Sequence, residues 1–198
     1  MRSAFSNSLF SYYNQLMNDI HTIKLDVPYY SQFVDLADSF WMLRACGAAS
    51  LKMVSEFCGA SAPDLLTLCE EAKERGGYDM QNGWVHDYML MKAREFGLQA
   101  ERKEGLIDTR ELLAHLDAGY PVIVSVEKRA LEQKRFHMLV IVGYEKEITN
   151  NELPVTNYQF YYHEPESTDK EKGKFRVCNE ETFLSYFRGK AIFISPRK

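Results

Sequence analysis

The chain has 198 residues, of which 45% are hydrophobic and 26% are charged, and its formal net charge is −4 at pH 7. This length is enough for one domain with a sizeable core and is short for two. Lysines and arginines are spread along the chain, so no nucleic-acid partner is expected. No run of about 18 apolar residues occurs, so no membrane-spanning segment is predicted.

The N-terminal residues show helical periodicity and lack the apolar core of a secretory signal. Apolar side chains recur at three- and four-residue spacing over residues 5–20, from Phe5 to Ile20, which predicts an amphipathic helix. We expect this helix to pack on its own domain. The alternative is a contact with a second copy or with a partner helix.

Helices are predicted for the next part of the chain. The segment VPYYSQ (27–32) is extended, and a long loop follows to Arg44. Gly59 and Gly76 are typical helix stops, and Pro63 suits the first turn of a helix. With these signals, helices are predicted at about 46–58, 63–75, 83–96 and 108–119.

After Pro121 the hydrophobic pattern changes from helical to β-type. Four short β-branched and aromatic runs predict strands, namely PVIVSVE, HMLVIVGYE, YQFYYHE and KAIFIS. A charged loop is expected at 127–135, and a short helix at about 180–187. Because helices come first and strands follow, the sequence indicates an α+β fold with an antiparallel sheet.

The candidate nucleophile is Cys46, at the start of the first of these helices. A thiol there is stabilised as thiolate by free backbone N–H groups and the helix dipole, and Gly47 leaves the sulfur approachable. The alternative is a buried structural cysteine. Cys58, Cys69 and Cys178 lie at apolar positions and are predicted to fill the core. Without a CxxC pair, all four are expected to be reduced thiols in the cytoplasm.

The candidate general base is His137, which opens the apolar strand MLVIVGY. An imidazole at the edge of a sheet can face a cleft, although a surface or core histidine is the alternative. Another strand ends in His163-Glu164-Pro165, and a carboxylate at such a position can hold the second imidazole nitrogen of a catalytic histidine.

Other polar and aromatic residues give weaker signals. The remaining histidines form no metal-ligand cluster with the cysteines, so no metal and no other cofactor is predicted. Trp84 and Asp87 could line a cleft, but a core tryptophan and a solvated aspartate are the expected interpretation.

The motifs in this order resemble the C39-like peptidases of the papain-like cysteine protease superfamily. The matching stretches are VPYYSQ, CGAASLKMV, GYPVIVSVE with FHMLVIVGYE, and YYHEP. They cover about residues 27–195. The resemblance implies a papain-like fold with an N-terminal helical part and a C-terminal antiparallel sheet. We therefore expect an N-terminal helical extension, residues 1–24, and a C39-like domain, residues 25–198.

The resemblance also implies a role for each candidate residue. Cys46 would be the nucleophile, His137 the base, Glu164 the third member of the triad and Gln32 the oxyanion-hole donor. Two departures stand out: the family usually has Asp or Asn where this chain has Glu164, and the stretch from Gln32 to Cys46 is longer than in many relatives. A structural role for Gln32 is therefore the alternative.

The predicted activity is that of a cysteine peptidase that cleaves a peptide or isopeptide bond through a thioacyl-enzyme intermediate. The substrate would be a peptide or protein, with neither a nucleic acid nor a membrane as partner. Two alternatives remain open: a catalytically silent C39-like domain that binds peptides, and an acyltransferase of the transglutaminase-like type.

Overall fold

Nine strands, six α-helices and a short 3-10 helix (Trp41–Leu43) lie in the part of the chain that the computed structural model describes, residues 19–130, 133–148 and 158–197. The strands are β1 (Asp19–Lys24), β2 (Tyr78–Asp79), β3 (Gly83–Trp84), β4 (Leu98–Glu104), β5 (Val122–Ala130), β6 (Gln133–Ile148), β7 (Tyr158–His163), β8 (Arg176–Asn179) and β9 (Phe187–Pro196). The helices are α1 (Cys46–Phe57), α2 (Leu65–Glu74), α3 (His86–Glu95), α4 (Arg110–Asp117), α5 (Lys170–Gly173) and α6 (Glu180–Tyr186).

The main sheet is antiparallel and has the strand order β4-β9-β5-β6-β7-β8. The long central strand β6 pairs with β5 and β7, and β1 adds a further pair along its second half. The short strands β2 and β3 form a separate pair. The predicted α+β fold with an antiparallel sheet is confirmed.

Each face of the main sheet carries its own apolar core. Helices α1, α2 and α3 cover one face, where α1 packs on β6 through Val140 and Val142. Helices α4 and α6 cover the other face, where Leu112, Leu116 and Phe183 meet the alternate side chains of β5 and β6. Residues along a strand point to opposite faces in turn, so the continuous apolar runs of β5 and β6 fit burial on both sides.

Local signals explain where the helices begin and end. The Asp64 side chain accepts a hydrogen bond from the backbone N–H of Thr67 at 3.0 Å and so caps α2. After α1, Gly59 has a φ of +88°, a conformation that glycine adopts without strain. No helix among the described residues is long and apolar enough to cross a membrane.

The structure differs from the sequence predictions at several places. The helix predicted at 83–96 begins only at His86, because Gly83 and Trp84 form β3 and pair with β2, which was not predicted. Asp19 and Ile20 belong to a strand rather than to the end of a helix, and β1 pairs with residues 143–148, so residues 19–24 of the predicted extension lie in the main sheet. The rest of the predicted helix, residues 5–18, lies outside the described residues. The expected loop at 127–135 is largely the ladder between β5 and β6, because backbone hydrogen bonds extend both strands regardless of their charged side chains.

Strands β4 and β8 were missed for the same physical reason. Both lie at the ends of the sheet order; β4 carries mostly polar or charged side chains, and none of the four residues of β8 is fully buried. In β4 only Leu98 and Ala100 are buried, so the apolar alternation is too short to stand out in the sequence. Pairing through the backbone, rather than side-chain burial, makes these segments strands.

Candidate active site

Cys46 is the first residue of α1, and its side chain is partly buried at the wall of a pocket. Burial raises the pKa of the Cys46 thiol, whereas the backbone N–H groups of Met138 and Gly47 and the charge of Arg135 act in the opposite direction. Met138 follows His137 directly, so the sulfur lies beside the strand that carries the candidate base.

His137 lies on β6, pairs with Val126 of β5 and is almost completely buried. Its Nε2 atom lies 2.6 Å from Oε1 of Glu164. Burial lowers the pKa of His137, although the hydrogen bond with Glu164 acts to raise it. The other ring nitrogen, Nδ1, is buried and has no hydrogen-bond partner among the described residues.

Glu164 follows β7 directly and is held from several sides. Its backbone N–H donates to the carbonyl of Gly173 at 2.9 Å, and its own carbonyl accepts from the Tyr29 hydroxyl at 2.6 Å. Its side-chain Oε1 also accepts from the backbone N–H of Glu166 at 3.0 Å. These contacts fix the carboxylate at the end of the strand, against the imidazole.

Lys128 links the Glu164 carboxylate to a second one. Its Nζ lies 2.8 Å from Oε2 of Glu164 and 2.9 Å from Oε2 of Glu166, and Arg135 forms a further ion pair with Glu166. Burial alone would raise the pKa of Glu164, but His137 and Lys128 outweigh it and hold the pKa at about 2. The carboxylate is therefore ionised at neutral pH.

This charge pattern defines the tautomer of His137. An ionised carboxylate only accepts hydrogen bonds, so Nε2 of His137 carries the proton that it shares with Glu164. In the neutral ring, Nδ1 is then the basic nitrogen, and it has no partner among the described residues. A base in this state can take a proton from a thiol at the same pocket.

Metal binding is a second use that such groups could have. Donor atoms of His137, Glu164 and Glu166 lie within 4.8 Å of one another. Both carboxylates, however, are already paired with the cations Lys128 and Arg135. Cationic partners at these positions favour a hydrogen-bonded triad over a metal site.

His163, the neighbour of Glu164, points away from this network, as strand alternation requires. It is fully buried, its Nε2 donates to the carbonyl of Val27 at 3.0 Å, and its Nδ1 accepts from the backbone N–H of Phe175 at 3.1 Å. Both ring nitrogens are therefore engaged in structural hydrogen bonds. Glu164, and not His163, is the residue that reaches the candidate base.

Gln32 is fully buried, and its side-chain Nε2 donates to the carbonyl of Met42 at 2.8 Å. Its Oε1 is buried without a hydrogen-bond partner among the described residues. Leu43 and Arg44, and not Gln32, are among the described residues that line the pocket beside Cys46. The structure thus brings Cys46, His137 and Glu164 to one place, whereas Gln32 contacts Met42 and is not among the pocket-lining residues.

The pocket has a volume of about 260 Å³. Cys46 and His137 share it with residues from several parts of the chain, among them Arg44, Asn82, Trp84, Ser125 and Arg188. Trp84 is 8% exposed and donates from Nε1 to the carbonyl of Arg44 at 2.7 Å, so it is both a core and a pocket residue. Asp87 is exposed and pairs with Arg102, which agrees with the expectation of a solvated aspartate.

The sequence pattern gives no sign of a role for Lys128, Glu166 or Arg188. Lys128 lies in the stretch predicted as a charged loop, where nothing indicates that a lysine faces a buried carboxylate. The acidic pair Glu164 and Glu166 offered one usable signal, because two carboxylates two residues apart at a strand end need nearby cations. Only the sheet register shows which cations those are.

The fold defines a class, the proteins with the papain-like cysteine protease fold. The structure is similar to that of a double glycine motif protease from the AMS/PCAT transporter in complex with the leader peptide, at 20% identity and a TM-score of 0.53, covering 88% of this chain and 94% of that one. It is also similar to the peptidase domain of Streptococcus ComA, a bi-functional ABC transporter, at 23% identity and a TM-score of 0.50, covering 78% and 93%.

The structure is also similar to that of UfSP from C. elegans, at 14% identity and a TM-score of 0.56, covering 96% of this chain but 37% of that one. None of the curated protein sequences compared with the chain matches it. The model of the Peptidase_C39 like family matches residues 24–189, and the chain belongs to this family. The family and the papain-like fold expected from the sequence are thereby confirmed.

Proposed function

We propose that the protein is a cysteine peptidase that hydrolyses a peptide or isopeptide bond through a thioacyl intermediate. The observation that supports this most strongly is the ionic hydrogen bond between His137 and Glu164, which leaves Nδ1 as the basic nitrogen at the pocket of Cys46. Family membership and the leader peptide bound to a structural neighbour support a peptide as the substrate. Four free cysteines fit a reducing compartment such as the cytoplasm.

In the proposed reaction His137 acts first as a base and then as an acid. Its Nδ1 takes the proton of the Cys46 thiol while the sulfur attacks the carbonyl carbon. Glu164 stabilises the imidazolium that forms. The imidazolium then gives its proton to the leaving amine, the C–N bond breaks, and a thioester with Cys46 remains. Water, deprotonated by His137, hydrolyses the thioester and restores the thiol.

Charge on the carbonyl oxygen requires hydrogen-bond donors. The backbone N–H of Cys46, at the open start of α1, is one candidate. Gln32 remains the proposed second donor, and its Nε2 has one further hydrogen besides the one directed at Met42.

Activity can be tested with a biotin-linked peptidyl vinyl sulfone and with a pool of peptides cleaved in ¹⁸O-labelled water. We expect the probe to label Cys46 in the wild type. It should not label Cys46→Ser at this position, and it should label His137→Gln much more slowly than the wild type. New C-termini should carry ¹⁸O, and an added amine should not be incorporated. Amine incorporation would instead indicate acyl transfer.

A peptide-binding domain without turnover is the second candidate function. The observation that favours it is the Gln32 amide directed at Met42 and not at the pocket. Two results together would support this function and exclude the peptidase. The protein would bind peptides without cleaving them, and the probe would label Cys46 no faster than Cys58 or Cys178.

A further inference from the structure

The described Lys, Arg, Asp and Glu side chains that line the pocket itself, as distinct from Glu164 behind His137, are all of one sign. Among the described residues that line the pocket, the charged side chains are Arg44, Arg135 and Arg188, although the chain as a whole has a net charge of −4. Of these, only Arg135 has a carboxylate partner within 4 Å among the described residues, namely Glu166. The pocket therefore contains two arginines whose charge is not neutralised by a close ion pair.

Arg188 is the more constrained of these two. Its Nη1 donates to the Ser125 hydroxyl at 2.9 Å, and its guanidinium lies 3.5 Å from the centroid of the Phe136 ring. Arg44 donates to the carbonyl of Phe40. A hydroxyl, a ring face and a carbonyl orient a guanidinium without cancelling its charge.

The backbone of β9 places Arg188 at the pocket. Ser125 pairs with Lys190, but the next residue, Val126, pairs with Phe187, so Arg188 and Gly189 are two extra residues in β9. Gly189 has a φ of +65°, and a Cβ there would lie 2.7 Å from the carbonyl oxygen of Leu106. Such bulges redirect side chains and occur often beside active sites. The bulge thus requires a conformation that favours glycine at position 189, and it sets the direction of the Arg188 side chain.

Further cations lie near the pocket wall, although Arg102 and Lys190 are paired with the carboxylates of Asp87 and Glu104. Lys190, Arg102 and Arg188 all act on His86 at the pocket wall, and together with burial, the largest cause, they lower its pKa, against an opposing effect of Glu104. Burial lowers the pKa of Arg188, while the charges of Glu127 and Glu104 act in the opposite direction. A partly desolvated arginine with donors to spare suits a bound carboxylate.

We propose that the active-site pocket selects substrates that carry a carboxylate close to the scissile bond, and that Arg188 binds this carboxylate while Arg44 adds to the attractive field. The inference rests on the proposed function, since it concerns the substrate of the same pocket. An acidic side chain and the C-terminal carboxylate of a peptide share this chemistry. The experiment below separates them.

The first test needs no known substrate, because two small alkylating agents differ only in charge. Iodoacetate carries a carboxylate and iodoacetamide carries a neutral amide, and both would react with the Cys46 sulfur. We expect the alkylation of Cys46 by iodoacetate to be saturable. We also expect the ratio of the iodoacetate rate to the iodoacetamide rate to be at least 10-fold higher for Cys46 than for a small thiol such as glutathione. Arg188→Met should lower this ratio about 10- to 100-fold, the usual effect of a lost charged hydrogen bond.

The control is Arg176→Met, which removes an exposed arginine that does not line this pocket. It should leave the ratio unchanged. Arg188→Lys keeps the charge and should retain part of the preference for iodoacetate. This result would show that the loss in Arg188→Met comes from the missing charge and not from a general disturbance of β9. If iodoacetate shows no preference, or if Arg188→Met keeps it, the proposed carboxylate site is wrong.

The second test uses peptides that the enzyme cleaves, in pairs that differ by Glu against Gln or by a free against an amidated C-terminus. The pair that shows a preference lost in Arg188→Met identifies the source of the carboxylate. Equal kcat/KM for every pair would overturn the inference while leaving the peptidase intact. Absence of any cleavage would instead reject the proposed function, and the alkylation ratio would still report on the carboxylate site.

Discussion

The Nε2 atom of His137 and the Oε1 atom of Glu164 are 2.6 Å apart, and both side chains are almost fully buried. This contact assigns the proton to Nε2 and the basic lone pair to Nδ1. Through this contact Glu164 can take the proposed place of the third triad residue, for which the resemblance to the family leads us to expect Asp or Asn.

The importance of the charge can be tested with Glu164→Gln and Glu164→Ala. Glu164→Gln can still accept from the imidazole through its carbonyl, so we expect a loss of kcat on the order of 10-fold. Glu164→Ala leaves no acceptor, and we expect a loss on the order of 100-fold or more. Steady-state kinetics on a peptide substrate, with folding checked by circular dichroism, measures both.

His163→Ala is the matched control for this series. It removes two buried hydrogen bonds, to Val27 and from Phe175, and should cost about 1–3 kcal/mol of stability for each group left unpaired. It should leave kcat within about threefold of the wild type, because the ring does not reach His137. Full activity in Glu164→Ala together with a large loss in His163→Ala would show that the triad is assigned to the wrong residue.

A second prediction concerns Lys128 and the acid stability of the fold. The pKa of Glu164 is lowered from its ordinary value of 4.5 to about 2, so its contribution to stability is complete above pH 4.5 and is lost as the pH falls toward 2. This contribution is at most about 3 kcal/mol. Lys128→Met brings the pKa of Glu164 closer to 4.5 and should make the loss between pH 5 and pH 2 smaller.

Urea unfolding at several pH values measures this effect. The wild type and Lys128→Arg, which keeps the cation, should lose more stability on acidification than Lys128→Met. At pH 7 Lys128→Met should be the least stable of the three, because it leaves a buried carboxylate with one cation fewer. Identical pH dependence in all three proteins would mean that Lys128 does not act on Glu164.

The sequence predicted those parts of the molecule that depend on apolar periodicity. Helix α1 with Cys46 at its start, the strand that contains His137 and the strand that ends at Glu164 are found close to their predicted positions. Strands β1, β4 and β8 were missed because they are held by backbone pairing at positions where few side chains are buried. Backbone pairing depends on neighbours distant in sequence, which periodicity cannot reveal.

The same limit applies to the site. The nucleophile, base and carboxylate were suggested by residue type, helix start and strand end. The charges that tune them come from Lys128 and Arg135, on opposite strands of a ladder predicted as a loop. Arg188 reaches the pocket only because β9 contains two extra residues, and such a bulge has no clear mark in the sequence except Gly189.

A third prediction is the pH dependence of activity. Burial raises the pKa of Cys46 from its ordinary value of 9.0 and lowers that of His137 from 6.5, so the free enzyme holds a neutral thiol and a neutral imidazole near pH 7. The imidazole of His137 therefore becomes protonated only below pH 6.5, and the thiol of Cys46 loses its proton only above pH 9.0. The profile of kcat/KM should therefore be flat from 6.5 to 9.0.

The same pair of groups predicts how thiol reagents behave. Iodoacetamide should alkylate Cys46 faster than Cys58 or Cys178, whose pKa values burial raises to about 11 and which lie away from the base. His137→Gln should lower the alkylation rate of Cys46 by at least 10-fold. A rate profile with an alkaline limb near pH 8 would contradict the neutral pair and indicate a resting thiolate–imidazolium pair instead.

A fourth prediction separates the two roles left for Gln32. If its remaining N–H stabilises the oxyanion, Gln32→Ala should lower kcat by about 100- to 1,000-fold. Alkylation of Cys46 by iodoacetamide passes through no oxyanion, so its rate should stay within about threefold of the wild type. A loss of stability with an unchanged kcat would assign Gln32 to the hydrogen bond with Met42 alone.

The last prediction concerns Gly47, which the tight packing around Cys46 requires. A Cβ at this position would lie 2.3 Å from Cγ of Trp84. The ring cannot easily move away, because its Nε1 donates to the carbonyl of Arg44 at 2.7 Å. Gly47→Ala must therefore displace either the pocket wall or the start of α1, and we expect a cost in stability of about 1–3 kcal/mol together with a clear loss of kcat.

Gly47→Ala combined with Trp84→Val makes room for the new methyl group, so the two changes should cost less together than the sum of their separate effects. Urea unfolding of the two single variants and the double variant measures this coupling, and additive effects would show that the glycine and the indole ring are not in the close contact described.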